Sequence, residues 1–593
     1  MSPSIQHRRP RRAIAAIIAC LGLVLAGLST GQVAASPAPA DSNAADSHRS
    51  DGPDELPLFR STGQIVDPLD ESLPWNPTKE FIFPSVFHAG KHLDDPLAEW
   101  YIYYAPHDRP GGINLMYADS LKGPWKQYEG NPLITNKWDG IYDVSHISSP
   151  DTVWSQRDGK MYLFFHGENT VTRFATSKDG LDFKYGDEVI TADAVDEAQH
   201  DFEFPADDTV PAPGRATETS YARVFRHPGP STGYRWGMFF MTNYKQDDSR
   251  RISVAYSKDL RNWDIAPKPI IEPGKAEGTN VSAADLWRSN GQNYILYHGT
   301  TGTILARPVN RALTESGTPE KLFVPEAAPP DAGRAASPQL VHENGKLHMF
   351  YEYGERSHTT IGHAVEDPDA VRDPLNQNPE DPLYESCPGA GSDQFEGDTL
   401  DDSLWSGSVR LDGSGVTVAD NGLHMPTVTG NSTSAPQVLQ PVRDGAFEVT
   451  TELTIKPEQK YQQGGLIVRR DDANSLRAML EQSSKGPRID FIWRRNGVDR
   501  IDTHTSEDYV YAPDELGDKI WLRITSTGEH LTASYSIDGK EFLTVGRSVP
   551  VAELLPETVG TVAYRGPESA PEIDAAFDWV RFTPTDEEAA ACG

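Results

Sequence analysis

Short apolar runs punctuated by turns recur along residues 60–370, five times and in one order. Each unit opens with a short apolar strand. A second strand rich in Tyr, Phe or Met follows, and then a third carrying small residues. The first unit reads "FPSVF", "EWYIYYAPH", "INLMYADSLKGPW"; the second reads "SPDTVW", "KMYLFFHGE", "VTRFATSKDGLDF". The third is "TSYARVF", "RWGMFFMTN", "RISVAYSKDLRNW", the fourth "SAADLW", "NYILYHGT", "GTILARPVN", and the fifth "SPQLV", "KLHMFYEYG", "TTIGHAVED". "SKDG" and "SKDL" put a turn at the same place in units two and three. Repeats of three or four strands at this spacing predict a five-bladed β-propeller over 59–371, with the first strand of each unit innermost. A sandwich or β-helix leaves unexplained why every unit restarts on the same short strand. A Pro- and Asp-rich linker follows over 372–388. From 389 to 593 the pattern becomes short, partly alternating strands such as "AFEVTTELTI", "RIDFIWRR" and "KIWLRITSTG", which reads as a β-sandwich. The fold class is all-β.

Propeller topology says where chemistry would gather. The innermost strand runs away from one face and the second strand returns to it. Starts of first strands and ends of second strands therefore converge on one channel mouth. That set is polar in every unit: His107 and Asp108; Asp151, His166 and Glu168; Glu218 and Asn243; Asp285 and His298; Glu352 and Glu355. Ionisable groups at the ends of apolar strands are costly to desolvate, so a group of them calls for a reason beyond packing.

Charge narrows the partners. The net charge of −33 excludes nucleic-acid binding through a general electrostatic attraction and suits neutral or cationic partners. The 46 prolines and 49 glycines suit a turn-rich β protein. The N-terminus is basic, "MSPSIQHRRPRR", then apolar, "AIAAIIACLGLVLAGL", and then offers small residues, "VAA". This reads as a signal peptide over 1–35 with cleavage after Ala35, against a lipoprotein signal at Cys20, and the paired arginines leave twin-arginine export open; the expectation is a secreted protein. A Pro/Ala/Ser/Asp tether over 36–58 follows, and no later segment is long and apolar enough to span a membrane. Removing the signal leaves Cys387 and Cys592, read as a disulfide stapling the ends of the second domain, against two free or intermolecular thiols.

Acids around a funnel fit glycoside hydrolysis. One protonated carboxyl protonates the leaving oxygen, and an ionised carboxylate activates water or attacks the sugar. A third holds the acid's pKa high. The substrate-binding candidates are His107, His166, Glu168, Asn243, His298 and Glu352. With "SSPD" opening the second inner strand and a Glu just before the third, the region over 60–370 resembles glycoside hydrolase family 43 and its relatives. That resemblance implies action on arabinose-, xylose- or galactose-containing polysaccharides by an inverting mechanism. It implies that Asp151 modulates and orients the acid, and that Glu218 in "ATETSYARVF" is the general acid, although the family's Glu–small–Pro stands here as "ETS". The family places its base, an Asp, directly before the Pro of the first inner strand, where this chain has Phe83 in "EFIFPSVF". A substitute base comes from nearby (Asp70, Glu80 or Asp108) or from another blade (Asp285); Asp285 and Asp108 rank first.

The family resemblance also leaves room for a channel-bound Ca2+, although no ligand cluster with metal spacing stands out. The second domain, with "F…LDDSLW" at its opening and "AAFDWVRFTP" at its close, resembles the concanavalin-like jelly rolls that follow such propellers. Its role is accessory packing or carbohydrate binding. Two other functions remain open: a non-catalytic carbohydrate-binding propeller, and a polysaccharide lyase using Arg173, Arg223 or Arg334.

Overall fold

A computed structural model describes residues 56–588, apart from 203–214, 246–247, 275, 279, 325–333, 355–358, 374–387, 444, 485, 501–508, 513–515, 567–569 and 586–587. The segments expected as signal peptide and, for the most part, tether, together with Glu355 and with Cys387 and Cys592, on which the expected disulfide falls, lie outside the described residues. Among the described residues no helix is long and apolar enough to cross a membrane.

Five four-stranded antiparallel sheets form the propeller. Their innermost strands are Ile82–His88, Ile147–Ser155, Ala216–Arg226, Val281–Ser289 and Ala335–Glu343. Each innermost strand packs against the two neighbouring ones, so the ring is closed. The four blades that follow the first in sequence order confirm the five-unit repeat, and the fifth adds something the repeat did not reveal. Its outermost strand is Phe59–Gln64, from the N-terminal end, paired antiparallel with Thr360–Glu366. Thr62 Oγ1 lies 2.7 Å from His363 Nδ1, which fastens the closing strand to its blade. Circular closure of this kind leaves no open edge between the last blade and the first.

The cores sit between blades. Tyr103, Leu163 and Phe165 pack between blades 1 and 2, Phe164 and Phe240 between blades 2 and 3, and Ile252 and Tyr297 between blades 3 and 4. Leu296 and Met349 fill the space between blades 4 and 5, and Trp100 and Phe350 that between 5 and 1. This is why the second strand of each unit is rich in aromatics: both its faces are covered. The "SKDG" and "SKDL" turns form alike. Ser177 Oγ accepts from Gly180 N at 2.9 Å and Ser257 Oγ from Leu260 N at 2.9 Å. Both turns need a positive φ, 75° at Gly180 and 68° at Leu260. Gly180 adopts it at no steric cost; Leu260 is held there by the turn.

Beyond the linker, the described residues form a seven-stranded and an eight-stranded sheet around a core that includes Leu453, Leu466, Phe491 and Phe577. These two sheets are the second, β-sandwich part of the all-β fold. Its ends meet: Asp393 and Val580 exchange backbone hydrogen bonds of 2.8 and 2.9 Å, and Trp405 Nε1 donates to Asp393 Oδ2 at 2.7 Å. Sandwich and propeller touch at blade 4, where Lys321 Nζ meets Glu541 at 3.1 Å.

Candidate active site at the channel mouth

Every innermost strand carries a bulge near its start. The pairing register shifts between Ile82 and Ser85, Ser148 and Asp151, Ser220 and Arg223, Ser282 and Asp285, and Ala336 and Gln339. Within each bulge one residue other than glycine has positive φ: Phe83, Ser149, Tyr221, Ala283 and Ser337, between 47° and 56°. A conformation this uncommon, repeated five times, sets a structural register. Three residues before it stand Glu80, His146, Glu218, Asn280 and Arg334. Two residues after it stand Ser85, Asp151, Arg223, Asp285 and Gln339. The bulge separates these two rings into two layers along the channel.

The upper layer borders a cavity of about 50 Å³. Blade 1 contributes Glu80 and His107, blade 3 Tyr221 and Arg250, blade 4 His298, and blade 5 Arg334 and Glu352. Glu80 is 2% exposed. It accepts from His107 N at 3.2 Å and from Thr359 Oγ1 at 3.3 Å. Burial pushes its carboxyl above the usual range; the His107 charge pulls it back, and Asp108 and Glu352 push it further up. Glu352 is 3% exposed but shifts the other way. Burial opposes ionisation, and the neighbouring charge of Arg334 foremost, with a hydrogen bond from Ser337 Oγ, outweighs it. Arg334 Nη1 lies 3.2 Å from Glu352 Oε2. His298 Nδ1 accepts from Ser337 N at 3.2 Å, which leaves Nε2 as its protonated nitrogen. Glu218 accepts from Ser220 Oγ at 3.0 Å and from Arg250 Nε at 3.2 Å, so it reaches the cavity wall through Arg250. His107 Nε2 is 3.1 Å from the Tyr221 hydroxyl and its Nδ1 is 3.3 Å from the exposed Asp108.

The lower layer is built differently. Asp151 Oδ2 accepts from Val224 N at 2.7 Å, while Oδ1 takes Arg223 Nη1 at 3.2 Å and Ser85 Oγ at 3.3 Å. Arg223, fully buried, also donates to Pro84 O at 2.7 Å, and its guanidinium lies 3.9 Å from the Phe83 ring centroid. Burial raises Asp151 to about 6 against the pull of Arg223, with Asp285 adding to the rise. Asp285 is likewise raised by burial and lowered by Arg223, and accepts from Leu286 N at 2.7 Å. Above them Phe83 meets Tyr221 edge to face at 5.5 Å, within an apolar cluster that includes Ile82, Met241 and Ala283. Phe83, standing where the family resemblance implies a base, is thus part of an apolar floor.

The structure divides the residues that the sequence set in one group. His107, His298 and Glu352 line the cavity, Glu218 joins it through Arg250, and Asp108 stands at its rim beside His107. Asp151 and Asp285 lie in the lower layer. Glu168 is held by Arg173 at 3.0 Å, and Asn243 donates to Asp248 at 2.9 Å. His166 is buried against Tyr221, ring centroids 5.3 Å apart, and burial together with His146 keeps it well below the usual imidazole range. Glu80 was one of several base candidates and was not ranked first. The signal that singles it out is spacing: "EFIF" places Glu80 three residues before Phe83 as "ETSY" places Glu218 three before Tyr221. Of the arginines considered for a lyase, Arg334 borders the cavity, and Arg173 and Arg223 do not.

Glu80, His107 and Asp108 bring one ligand atom each within 4.8 Å of one another, an oxygen–nitrogen–oxygen set that could hold a divalent cation. The lower layer does not fit a channel cation, because the fixed charge of Arg223 acts on both Asp151 and Asp285 there.

Residues 392–583 match the family described as the Beta xylosidase C-terminal Concanavalin A-like domain. Among solved structures, the chain is similar to a glycoside hydrolase family 43 protein, BlXynB, from Bacillus licheniformis, at 14% identity over 85% of this chain and 98% of that one, with a TM-score of 0.31. A xylan β-1,4-xylosidase from Bacillus halodurans is 16% identical over 85% and 99%, with a TM-score of 0.32. A Bacteroides ovatus xyloglucan GH43B protein is 13% identical over 85% and 98%, with a TM-score of 0.31. No curated protein matches the sequence.

Proposed function

We propose that the protein is a secreted glycoside hydrolase whose chemistry takes place in the mouth cavity, on an arabinose-, xylose- or galactose-containing polysaccharide. One observation carries this reading. Two buried carboxyls border a single cavity, and their surroundings push them apart, Glu80 up and Glu352 down. Environments that separate two carboxyls in this way assign the acid and the base. Glu80 then protonates the glycosidic oxygen as the bond to the anomeric carbon breaks. Glu352 takes the proton of the attacking water. Glu218, paired with Arg250, and the imidazoles of His107 and His298 hold sugar hydroxyls. Tyr221, its hydroxyl 3.1 Å from His107 Nε2, lines the floor of the cavity. By family resemblance the displacement inverts the anomeric centre, which requires the two carboxyls to stand roughly 6.5–9.5 Å apart.

This reading moves the proton donor from Glu218 to Glu80. Assays for reducing sugar released from arabinan, xylan and galactan test it. The parent protein is expected to act on at least one, and Glu80→Gln is expected to lose that activity. Full activity in Glu80→Gln removes the acid assignment. A parent inactive on all three favours a binding protein, and a product with the ultraviolet absorption of an unsaturated uronate indicates a lyase. Secretion rests on the N-terminal signal and is tested by finding a mature chain that begins at Ser36 in the culture medium.

A further inference from the structure

The propeller face opposite the mouth has a feature at odds with the charge of the whole chain. A crevice of about 110 Å³ lies between blades 2 and 3. Arg157, on the turn that leaves the inner strand of blade 2, forms one wall. Arg226, Arg235 and Lys258, at strand ends of blade 3, form the other. All four side chains are exposed. In a chain of net charge −33, four cations facing one crevice would be expected to have acidic partners. Two acids are present; the charge of Arg157 acts on Asp158, but neither acid is in ion-pair contact with any of the four. Asp158 accepts from Ser155 Oγ at 3.0 Å and from the Tyr162 hydroxyl at 2.8 Å, and its ion-pair contact is Arg261 at 3.7 Å. Asp259 accepts from the backbone N–H groups of Arg261 and Asn262, both at 2.9 Å, and from Asn262 Nδ2 at 2.8 Å. Among the described residues, none of Arg157, Arg226, Arg235 and Lys258 forms an ion pair.

The cations are positioned as well as unpaired. The Arg226 guanidinium lies 3.9 Å from the ring centroid of buried Trp236, and its carbonyl accepts from Arg288 Nη2 at 2.8 Å. Burial and the charge of Arg235 lower the pKa of Arg226. Arg288 and Arg311 line the next depression, between blades 3 and 4, and burial together with Arg311 lowers Arg288 in the same way. The like charges thus crowd one another along one bank, an arrangement that repels itself until an anion enters. Guanidinium groups suit planar or tetrahedral oxyanions, which they bind through two parallel N–H donors. At the rim, Tyr234 stacks on Tyr256 with ring centroids 5.2 Å apart, and Lys258 Nζ lies 5.6 Å from the Tyr234 centroid. An aromatic shelf beside cations is the arrangement that takes a charged sugar ring.

We propose that this bank is an anchoring site for an acidic polysaccharide, a chain bearing carboxylate or sulfate groups, on the face away from the mouth cavity. The anion chemistry rests on the crevice alone, and the choice of a polysaccharide rests on the hydrolase reading above. The net charge of the chain opposes a nucleic-acid duplex, with one charge per about 1.7 Å, more than a glycan with about one charge per sugar.

Calorimetric titration of the full chain with hexagalacturonic acid, with neutral xylohexaose and with a single-stranded oligonucleotide of equal charge tests the proposal. Hexagalacturonic acid is expected to bind at about 50 mM salt and to weaken at least tenfold at about 300 mM, as exposed charges are screened. Arg157→Gln combined with Lys258→Gln changes only exposed side chains and is expected to weaken it about tenfold. Arg226→Gln combined with Arg235→Gln is expected to do the same, and xylohexaose affinity is expected to stay as in the parent in both. Unchanged hexagalacturonate affinity in both double variants, or no binding by the parent, overturns the site. Tighter binding of the oligonucleotide than of the hexamer overturns the choice of polysaccharide. Glu80→Gln is expected to bind the hexamer as the parent does, so loss of the hydrolase reading and loss of this site are read separately.

Discussion

Glu80 and Asp151 are both 2% exposed, both sit at the inner strands of one propeller, and burial pushes both upward. They differ in what lies beside them. Glu80 borders a cavity and its neighbours there are His107, Asp108 and Glu352. Asp151 is closed in by Arg223, Ser85 and a backbone N–H, beneath the ring of Phe83. A raised pKa alone therefore does not mark a catalytic acid. A raised pKa beside an open cavity is the stronger mark, and the same shift in a closed ion pair marks a group that holds the ring of blades together.

If the lower layer is structural, removing its acid acts on stability. Asp151→Ala leaves the Arg223 charge buried without its partner and is expected to cost about 3–5 kcal/mol in chemical unfolding, while the folded fraction keeps kcat within about threefold. The same acid gives stability a pH dependence. Its folded pKa of about 6 lies above the model-peptide 3.8, so its contribution is complete below 3.8 and is lost as pH rises through 6. Asp151→Asn is expected to flatten that part of the stability curve. If the upper layer is catalytic, Glu352→Gln is expected to lower kcat of the folded enzyme about 10²-fold or more, measured on whichever polysaccharide the parent cleaves. Phe83→Leu tests the floor between the layers. It removes a ring that Arg223 packs on and is expected to cost about 1–2 kcal/mol. Replacing Ser85 with Ala removes its hydrogen bond to Asp151 and leaves the buried Thr152 N–H without its acceptor, and is expected to cost about 1–2 kcal/mol, leaving catalysis unchanged.

Much of this was legible in the sequence, because the propeller repeats the same apolar strands five times. The count of blades, the identity of the inner strands and the convergence of polar ends all follow from that repeat. The closing strand "FRSTGQ" was not legible as a strand of the fifth blade. It buries chiefly Phe59, and its partner lies some 300 residues away in sequence, so no local pattern announces the pairing. The height of each acid in the channel was not legible either. Strand alternation places residues on faces, but a bulge inserts a residue and breaks the alternation, and nothing in "SSPD" or "AADL" shows where it falls. Asp151 and Glu218 were therefore placed together, although one stands two residues after its bulge residue and the other three before.

The most direct test of the division between the layers is the pH profile of kcat/KM for the parent, Glu80→Gln and Asp151→Asn. The parent is expected to show a bell, with an alkaline limb set by a carboxyl titrating above the ordinary glutamate range and an acid limb below it. Glu80→Gln is expected to lose about 10²-fold or more at the optimum, together with the alkaline limb, while Asp151→Asn keeps both limbs in place. An alkaline limb that survives in Glu80→Gln and vanishes in Asp151→Asn would contradict the account and move the proton donor to the lower layer.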